Sequence, residues 1–381
     1  MLSLRSYFPA FRSPENIISG ENAIAALSGL TAVRVAVIAG DSLLNNPAKR
    51  ALLKDNIRAH DVAFIRKSWV GEPTLEEMSE TIGEVEKFRP DVILAVGGGS
   101  VLDGARLVWM FYEHPDIEKE TFYRPFAIPR LRGKCRFVAI PTTVGTGSEV
   151  SSAAVISDPD THQKIPVVTH DFIPDLVVLD AQLVVDLPKL VTASTSLDAM
   201  SHIIEGYASN LANPVMDALA EKALQMIVEW GSKALSEGGH EPMEHLLIAA
   251  SLAGLVQNHC LTGASHAIAH QLGQFGIGHG HANAIVLPNV VAFNSQDDKT
   301  RARYDRLART SGAGETAADL VQFLKNYAEM GGLERSLSVM LSGAELDLEQ
   351  VTEAALSDPN ARTNPVELNE TNIRELIAAC Q

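Results

Sequence analysis

The sequence predicts two domains of different class: an α/β domain with a parallel sheet over residues 1–187, then an all-helical domain over residues 188–381. Three observations predict this. Short apolar runs alternate with amphipathic stretches through the first half. Two of those runs end in loops rich in glycine and hydroxyl side chains. Past Pro188 the β-branched runs thin out and long segments of helical periodicity take over.

Taken in order, Val33–Ala39 reads as a buried strand, Asn46–Ala59 as a helix, Val62–Lys67 as a strand and Leu75–Phe88 as a helix. Asp91–Val96 is the most apolar strand and runs straight into Gly97-Gly98-Gly99-Ser100, ahead of a helix over Val101–Phe111. Further strands are expected at Arg136–Ile140, Ala153–Ile156, Lys164–Val168 and Leu176–Leu179. Pro188 to Thr195 reads as a hinge, with Ser194-Thr195-Ser196 capping the helix that follows. Asp217–Leu235, Met243–Gln257 and Ala317–Met330 carry helical spacing.

There are 31 Lys+Arg against 47 Asp+Glu, a formal net charge of −16. So acidic a surface repels phosphate backbones and anionic membrane faces, so neither nucleic acid nor membrane is an expected partner. Cys135, Cys260 and Cys380 lie far apart without a Cys-x-x-Cys pair, which argues against a disulfide framework and a cysteine zinc site. The first residues lack the apolar core of a signal peptide, and no apolar run has bilayer length, so a cytoplasmic location is expected.

Gly97-Gly98-Gly99-Ser100 joins a strand end to a helix start. Glycines there let backbone N–H groups approach a phosphate, and Asp103 sits in the first turn, where its charge suits the helix dipole. The spacing fits neither GxGxxG nor GxxxxGK[ST]. A second small-residue loop, Pro141-Thr142-Thr143-Val144-Gly145-Thr146-Gly147-Ser148-Glu149, follows another strand end. The two loops together favour a phosphate-bearing cofactor.

Five of the 12 histidines fall between positions 259 and 281. Asp198 and His202 are four apart on an expected helix and share a face, as do His266 and His270. His279 and His281 flank Gly280. A carboxylate with several imidazoles is a donor set for Fe(II), Zn(II) or a similar ion, and Asp198, His202, His266 and His279 are the candidate ligands. A lone histidine on an apolar helix face is ordinarily a core or boundary residue, the reading kept for His259, His60, His114, His240 and His245.

The ordered set Gly97-Gly-Gly-Ser100-x-x-Asp103, Pro141-Thr-Thr-x-Gly-Thr-Gly-Ser-Glu149, Leu197-Asp198-Ala-x-x-His202-x-x-Glu205 and His266-x-x-x-His270-x-Leu-Gly…His279-Gly-x-Ala-Asn283 resembles the iron-containing (group III) alcohol dehydrogenases. The resemblance runs from Gly20 to the Asn364-Pro365 segment. It implies a Rossmann-like dinucleotide-binding domain followed by a helical metal-binding domain, the dehydroquinate synthase-like/iron-dependent alcohol dehydrogenase fold. It also implies reversible hydride transfer between NAD(P) and a small primary alcohol/aldehyde pair, with Fe2+ or Zn2+ as cofactor. By the same resemblance Asp198, His202, His266 and His279 match the metal ligands, and His270 is the candidate proton relay. Gly97, Gly98, Gly99 and Ser100 match the pyrophosphate loop; Thr142, Thr143 and Ser148 match the ribose and nicotinamide side; Lys164 matches a cofactor-facing lysine.

The chain departs from the family pattern at Ser196, which replaces a glycine, at Arg106, which replaces a lysine, in a nine-residue His270–His279 gap, and in the extra His281. His281 is the candidate for a substrate or supporting contact, and Arg362, flanked by Asn360 and Asn364, for an anionic substrate group. Nucleotide choice falls on Gly40-Asp41: glycine admits a 2′-phosphate while the carboxylate opposes one, which tilts the expectation to NAD with NADP as the alternative. Competing readings are a lyase or cyclase of the dehydroquinate synthase type and a metal-dependent alcohol oxidase. The aromatic segment Tyr7-Phe8-Pro9-Ala10-Phe11 suggests a homodimer formed by covering a sheet edge.

Overall fold

The structure is a computed structural model that describes residues 11–71, 73–157 and 164–381. Tyr7 to Ala10, named above for dimerisation, lie outside the described residues.

The chain divides into two compact units. Ser13–Thr143 and Gly147–Val184 form a sheet unit; Val144–Thr146 and Val185–Gln381, with Phe11 and Arg12, form a helical unit. The sheet unit holds six parallel strands: β1 (Asn16–Ser19), β2 (Arg34–Ala39), β3 (Asp61–Arg66), β4 (Val92–Gly97), β5 (Arg136–Pro141) and β8 (Leu176–Leu179). Their order is β1-β8-β5-β4-β2-β3. Strands β2 and β4, both inside the sheet, read as continuous apolar runs because both sheet faces are covered. On one face Val35, Val37, Val92, Leu94, Val138 and Val178 pack with Ile24, Leu27 and Leu53. Helices α2 (Leu75–Phe88) and α3 (Gly99–Glu113) take the other face, and α1 (Pro47–Asn56) lies with the 3-10 turn Ala23–Gly29.

Strand order reverses between β2 and β4, since the chain leaves β2 outward to β3 and returns to its other side. The loops after these two strands, at Gly40 and at Gly98–Ser100, therefore flank the topological switch, where open α/β sheets bind ligands.

Two expectations need correction here. The runs at 153–157 and 164–168 do not join the parallel sheet; β6 (Ala153–Ser157) and β7 (Lys164–Val168) make a separate antiparallel pair. Pro166, which faces Val155, has no N–H for a second neighbour and suits a two-stranded ribbon. The hinge before the helical unit is also absent: helix α4 (Lys189–Ala208) begins directly after Pro188. The hydroxyls of Ser194 and Thr195, expected as caps, bond back to the Val191 carbonyl at 3.2 and 2.9 Å inside that helix.

The helical unit continues with α5 (Pro214–Ser236), α6 (His240–Cys260), α7 (Ala264–Leu272), α8 (His279–Asn294), α9 (Asp298–Ser311), α10 (Ala317–Gly331), α11 (Leu348–Ser357) and α12 (Glu370–Ala378). Val144–Thr146 belongs to this unit because Gly145 lies against α4, where a Cβ would stand 2.2 Å from the Thr195 carbonyl oxygen. Among the described residues no single helix is long and apolar enough to cross a membrane.

Candidate functional site

Helix α4 is buried along most of its length and carries Asp198 and His202 one turn apart. His266 comes from α7, and His279 is the first residue of α8. The four side chains converge. Asp198 Oδ1 lies 3.8 Å from His202 Nε2, 3.8 Å from His266 Nε2 and 3.3 Å from His279 Nε2. One donor atom each from Asp198, His202 and His266 falls within 4.8 Å of the others. Gly280 makes the approach possible, because a Cβ there would stand 2.2 Å from the Ser194 carbonyl oxygen.

Burial works to raise the Asp198 carboxyl, but His202, His279 and His266 outweigh it and hold the group well below the usual carboxylate range. Burial lowers His202 against the pull of Asp198. It also lowers His266 strongly, helped by His202 and His279. Asp198 thus presents a carboxylate and His202 and His266 neutral imidazoles, the protonation state in which these groups donate to a metal. His266 Nε2 is buried and has no hydrogen-bond partner. An unpaired buried nitrogen aimed at a carboxylate and two further imidazoles fits a divalent cation.

Behind the donors stands a second layer. His266 Nδ1 is 2.6 Å from Glu205 Oε2, while Glu205 Oε1 accepts the Ser265 N–H at 2.7 Å. Burial pushes the Glu205 carboxyl up to about 8, opposed by the backbone N–H groups of Ser265, His266 and Gly263. Asn283 donates to Asp198 Oδ1 at 3.1 Å and lies 3.3 Å from His279 Nε2. Such partners fix ring orientation at a metal. Both stand at helical spacing from a ligand candidate, Glu205 three after His202 and Asn283 four after His279. That spacing is the signal that would have given them roles.

His270 stacks on His279 with ring centroids 5.2 Å apart and meets His266 edge-on at 5.8 Å. Its Nδ1 is 2.7 Å from Asp358 Oδ2, a partner 88 residues away that no local pattern points to. His281 stands apart from this group. Two residues along a helix differ by about 200° in direction, and His281 Nε2 bonds the Glu334 carbonyl at 2.7 Å. Arg362 is exposed on the turn Pro359–Thr363. Asn364, grouped with it above, is instead buried in a paired amide contact with Asn294 at 2.9 and 3.1 Å. His259 is a buried packing residue, bonded to the Leu255 carbonyl and to the Arg12 N–H.

In the sheet unit, Gly97 ends β4, Gly98 caps α3 and Gly99 begins it. A Cβ on Gly97 would stand 2.5 Å from Val101, and one on Gly98 would stand 3.0 Å from Thr143 Cγ2. The amides of Gly99 and Ser100, at the start of α3, have no carbonyl one turn earlier in the helix. Thr142 N–H bonds the Gly97 carbonyl, which ties the two loops together, and the Thr143 hydroxyl is buried without a partner. A cradle of amides and an unpaired hydroxyl at a switch point fits a phosphate-bearing nucleotide.

Asp103 and Ser148 bond each other and Arg106, whose fully buried guanidinium also reaches the Phe172 carbonyl at 3.0 Å. Gly40 precedes the short turn Asp41–Leu44, and Asp41 pairs with Arg66. Lys164 opens β7; its side chain is outside the described atoms.

The comparisons with known proteins give the family. Residues 14–181 match the family described as iron-containing alcohol dehydrogenase, and residues 192–380 match the C-terminal part of the Fe-containing alcohol dehydrogenase family. Over 380 residues the chain is 34% identical to a 1-propanol dehydrogenase of Citrobacter freundii, covering 97% of this chain and 98% of that one. The chain belongs to the iron-containing alcohol dehydrogenase family. Membership makes it an oxidoreductase that works with a divalent metal and NAD(P). It is also 36% identical over 316 residues to an NADPH-dependent butanol dehydrogenase of Clostridium saccharobutylicum, covering 80% of each. The iron-containing alcohol dehydrogenase of Thermococcus thioreducens superposes with a TM-score of 0.87 at 31% identity, covering 97% of this chain and 99% of that one.

Proposed function

We propose that this dehydrogenase interconverts a small neutral primary alcohol and its aldehyde, with NAD(P)+ reduced to NAD(P)H and one proton released per alcohol oxidised. The observation that carries the reading is the convergence of Asp198, His202, His266 and His279, with the His202 and His266 imidazoles held neutral by burial. The 1-propanol and butanol dehydrogenases among its relatives support a short aliphatic substrate.

Asp198, His202, His266 and His279 would hold the cation. A divalent ion there supplies a Lewis acid, which favours the alkoxide character that hydride loss demands. Bound NAD(P) supplies the hydride carrier. Everything else falls to the chain. Glu205 and His266 Nδ1 share a proton and hold the ring in place, so that Nε2 faces Asp198. Asn283 fixes the Asp198 carboxylate and the His279 ring. Asp358 accepts from His270 Nδ1, which leaves His270 Nε2 able to take the alcohol proton and pass it to water. Gly97, Gly98, Gly99 and Ser100 receive the pyrophosphate, Thr142 and Thr143 the sugar and ring. Asp103 and Ser148 shape that loop through Arg106, and Lys164 and Gly40-Asp41 complete the nucleotide contacts. Arg362, on its exposed turn, and His281, on the Glu334 carbonyl, carry no step for a neutral substrate. A cytoplasmic homodimer is part of the same reading; β1 is an edge strand whose Ile17 and Ile18 are 36% and 38% exposed, which supports pairing across that edge.

The test combines metal analysis of anaerobically purified protein with aldehyde-dependent oxidation of NADH and NADPH, for the wild type and its Asp198→Ala and His266→Ala variants. About one metal per chain, lost together with turnover in both variants, is the expected result. A metal-free wild type with full turnover would remove the cation from the function. Arg362→Ala should leave KM for propanal unaltered; a rise confined to anionic aldehydes would move the substrate class to anions.

A further inference from the structure

The carboxyl edge of β2 and β3 carries two cations, Arg66 and Lys67, that the family reading does not use. Arg66 ends β3 in register with Ala39 of β2, and its guanidinium pairs with Asp41 just beyond the end of β2. Both side chains are more than half exposed, at 55% and 66%. Lys67 follows, with its N–H on the Ala39 carbonyl at 3.0 Å. Consecutive strand residues point to opposite faces, so Arg66 and Lys67 diverge. Lys67 Nζ reaches Ser100 Oγ in the glycine loop at 3.2 Å and lies 5.6 Å from the centre of the Trp69 ring. Gly40 lies against its stem: a Cβ on Gly40 would meet Lys67 Cε in ordinary contact at 3.7 Å. A surface depression lined by Asp41, Ser42, Asn45, Asn46 and Pro47 adjoins the pair.

These positions bear on one chemical question. A carboxylate at the end of the strand beside the glycine-loop strand accepts hydrogen bonds from an adenine ribose diol and repels a 2′-phosphate. Here that carboxylate is already neutralised. A guanidinium has five donors in a planar fork, so Arg66 can keep Asp41 and still present N–H groups to a phosphate. An exposed ion pair is worth little, and opening it costs correspondingly little. The chain carries a formal charge of −16, which disfavours a more highly charged nucleotide at long range, so two adjacent cations at this edge act locally against the overall field.

We infer that Arg66 is the contact for the 2′-phosphate of NADP, with Lys67 on the pyrophosphate side, and that the Arg66–Asp41 pair lets this chain accept both NAD and NADP. With NAD, Asp41 takes the ribose hydroxyls and Arg66 stays on Asp41. With NADP, Arg66 turns its free N–H groups to the phosphate and screens it from Asp41. This rests on the proposed nicotinamide function, and it is tested by binding as well as by turnover.

The experiment is calorimetric titration of the metal-loaded protein with ADP, adenosine 2′,5′-bisphosphate, NADH and NADPH, for the wild type, Arg66→Ala, Arg66→Lys and Asp41→Asn. The wild type should bind both dinucleotides. Arg66→Ala should cut the NADPH:NADH affinity ratio at least about tenfold, the loss of one charge-assisted contact. The bisphosphate:ADP ratio should fall in parallel, and Arg66→Lys should restore part of each. Asp41→Asn should move both ratios the other way. Ratios that stay within twofold of wild type in Arg66→Ala would overturn the assignment. So would a wild type that binds ADP and NADH but neither 2′-phosphorylated ligand, a result that leaves the dehydrogenase reading standing. Failure of the wild type to bind any of the four would remove the nucleotide reading itself.

Discussion

The donor cluster of the helical unit and the strand ends of the sheet unit hold charge in opposite ways. In the cluster, Asp198, His202 and His266 are nearly fully buried on helices, and Asn283 and Glu205 hold Asp198 and His266 in a second hydrogen-bonded layer. At the strand ends, Asp41 and Arg66 are largely exposed and pair with each other, while the neighbouring loop is shaped by the lack of side chains at Gly97 and Gly98. Buried charge in a fixed frame suits a small cation of set geometry. Exposed charge beside open backbone suits a large ligand that brings its own charge and leaves again. Substitutions should therefore act sharply and on metal content in the first region, and gradually and on nucleotide affinity in the second.

Asp198→Ala breaks the first region most directly. It removes the only carboxylate among the four donors, and turnover should fall by at least about 10³-fold as bound metal disappears, read by elemental analysis beside kcat. An Asp198→Ala protein that kept its metal would place the site elsewhere. His270→Ala should lower kcat by about 10²-fold or more while metal content holds, because proton transfer is lost and coordination is not. A parallel loss of metal would make His270 a ligand instead.

Glu205→Gln, nearly isosteric, should weaken metal retention by about 10- to 100-fold in a chelator competition. Unchanged retention would reduce Glu205 to packing. Gly98→Ala carries the comparison to the other region: KM for the nucleotide should rise about tenfold with metal content untouched, since the new methyl presses on Thr143 where the phosphate approaches.

The smallest effect expected is acid-dependent. Burial works to raise the Asp358 carboxyl, but its hydrogen bond and charge interaction with His270 outweigh this and lower it. A carboxyl lowered in the folded state adds stability above its unfolded pKa, and that stability fades as pH falls through the folded value. The Tm advantage of wild type over Asp358→Asn should thus be full at about pH 6 and shrink toward about pH 3. A pH-independent difference would mean that Asp358 contributes shape only.

Much of the sheet unit was readable from local pattern. Parallel strands such as β2 and β4 are continuous apolar runs closed by glycine or a polar turn, and helices such as α2 and α10 announce themselves by period and capping boxes at Thr74 and Thr316. The ligand candidates were readable for the same reason, since Asp198 and His202 share a face through helix spacing alone. What failed was local chemistry with two outlets. Ser194 and Thr195 could cap a helix or bond backward within one, and only the length of α4 decides which. A two-stranded ribbon and an inner strand have the same period, so β6 and β7 could not be told from the main sheet by alternation.

By itself, then, the sequence determined which candidate side chains share a helix face or close a strand, because those are consequences of spacing along one helix or strand. The tertiary structure alone decided the pairings across distance: His270 with Asp358, Asp41 with Arg66, Lys67 with Ser100, and His281 turned to Glu334. No periodicity encodes these partners, since each depends on how separate segments pack, and that is set by burial of apolar surface far from the groups it brings together.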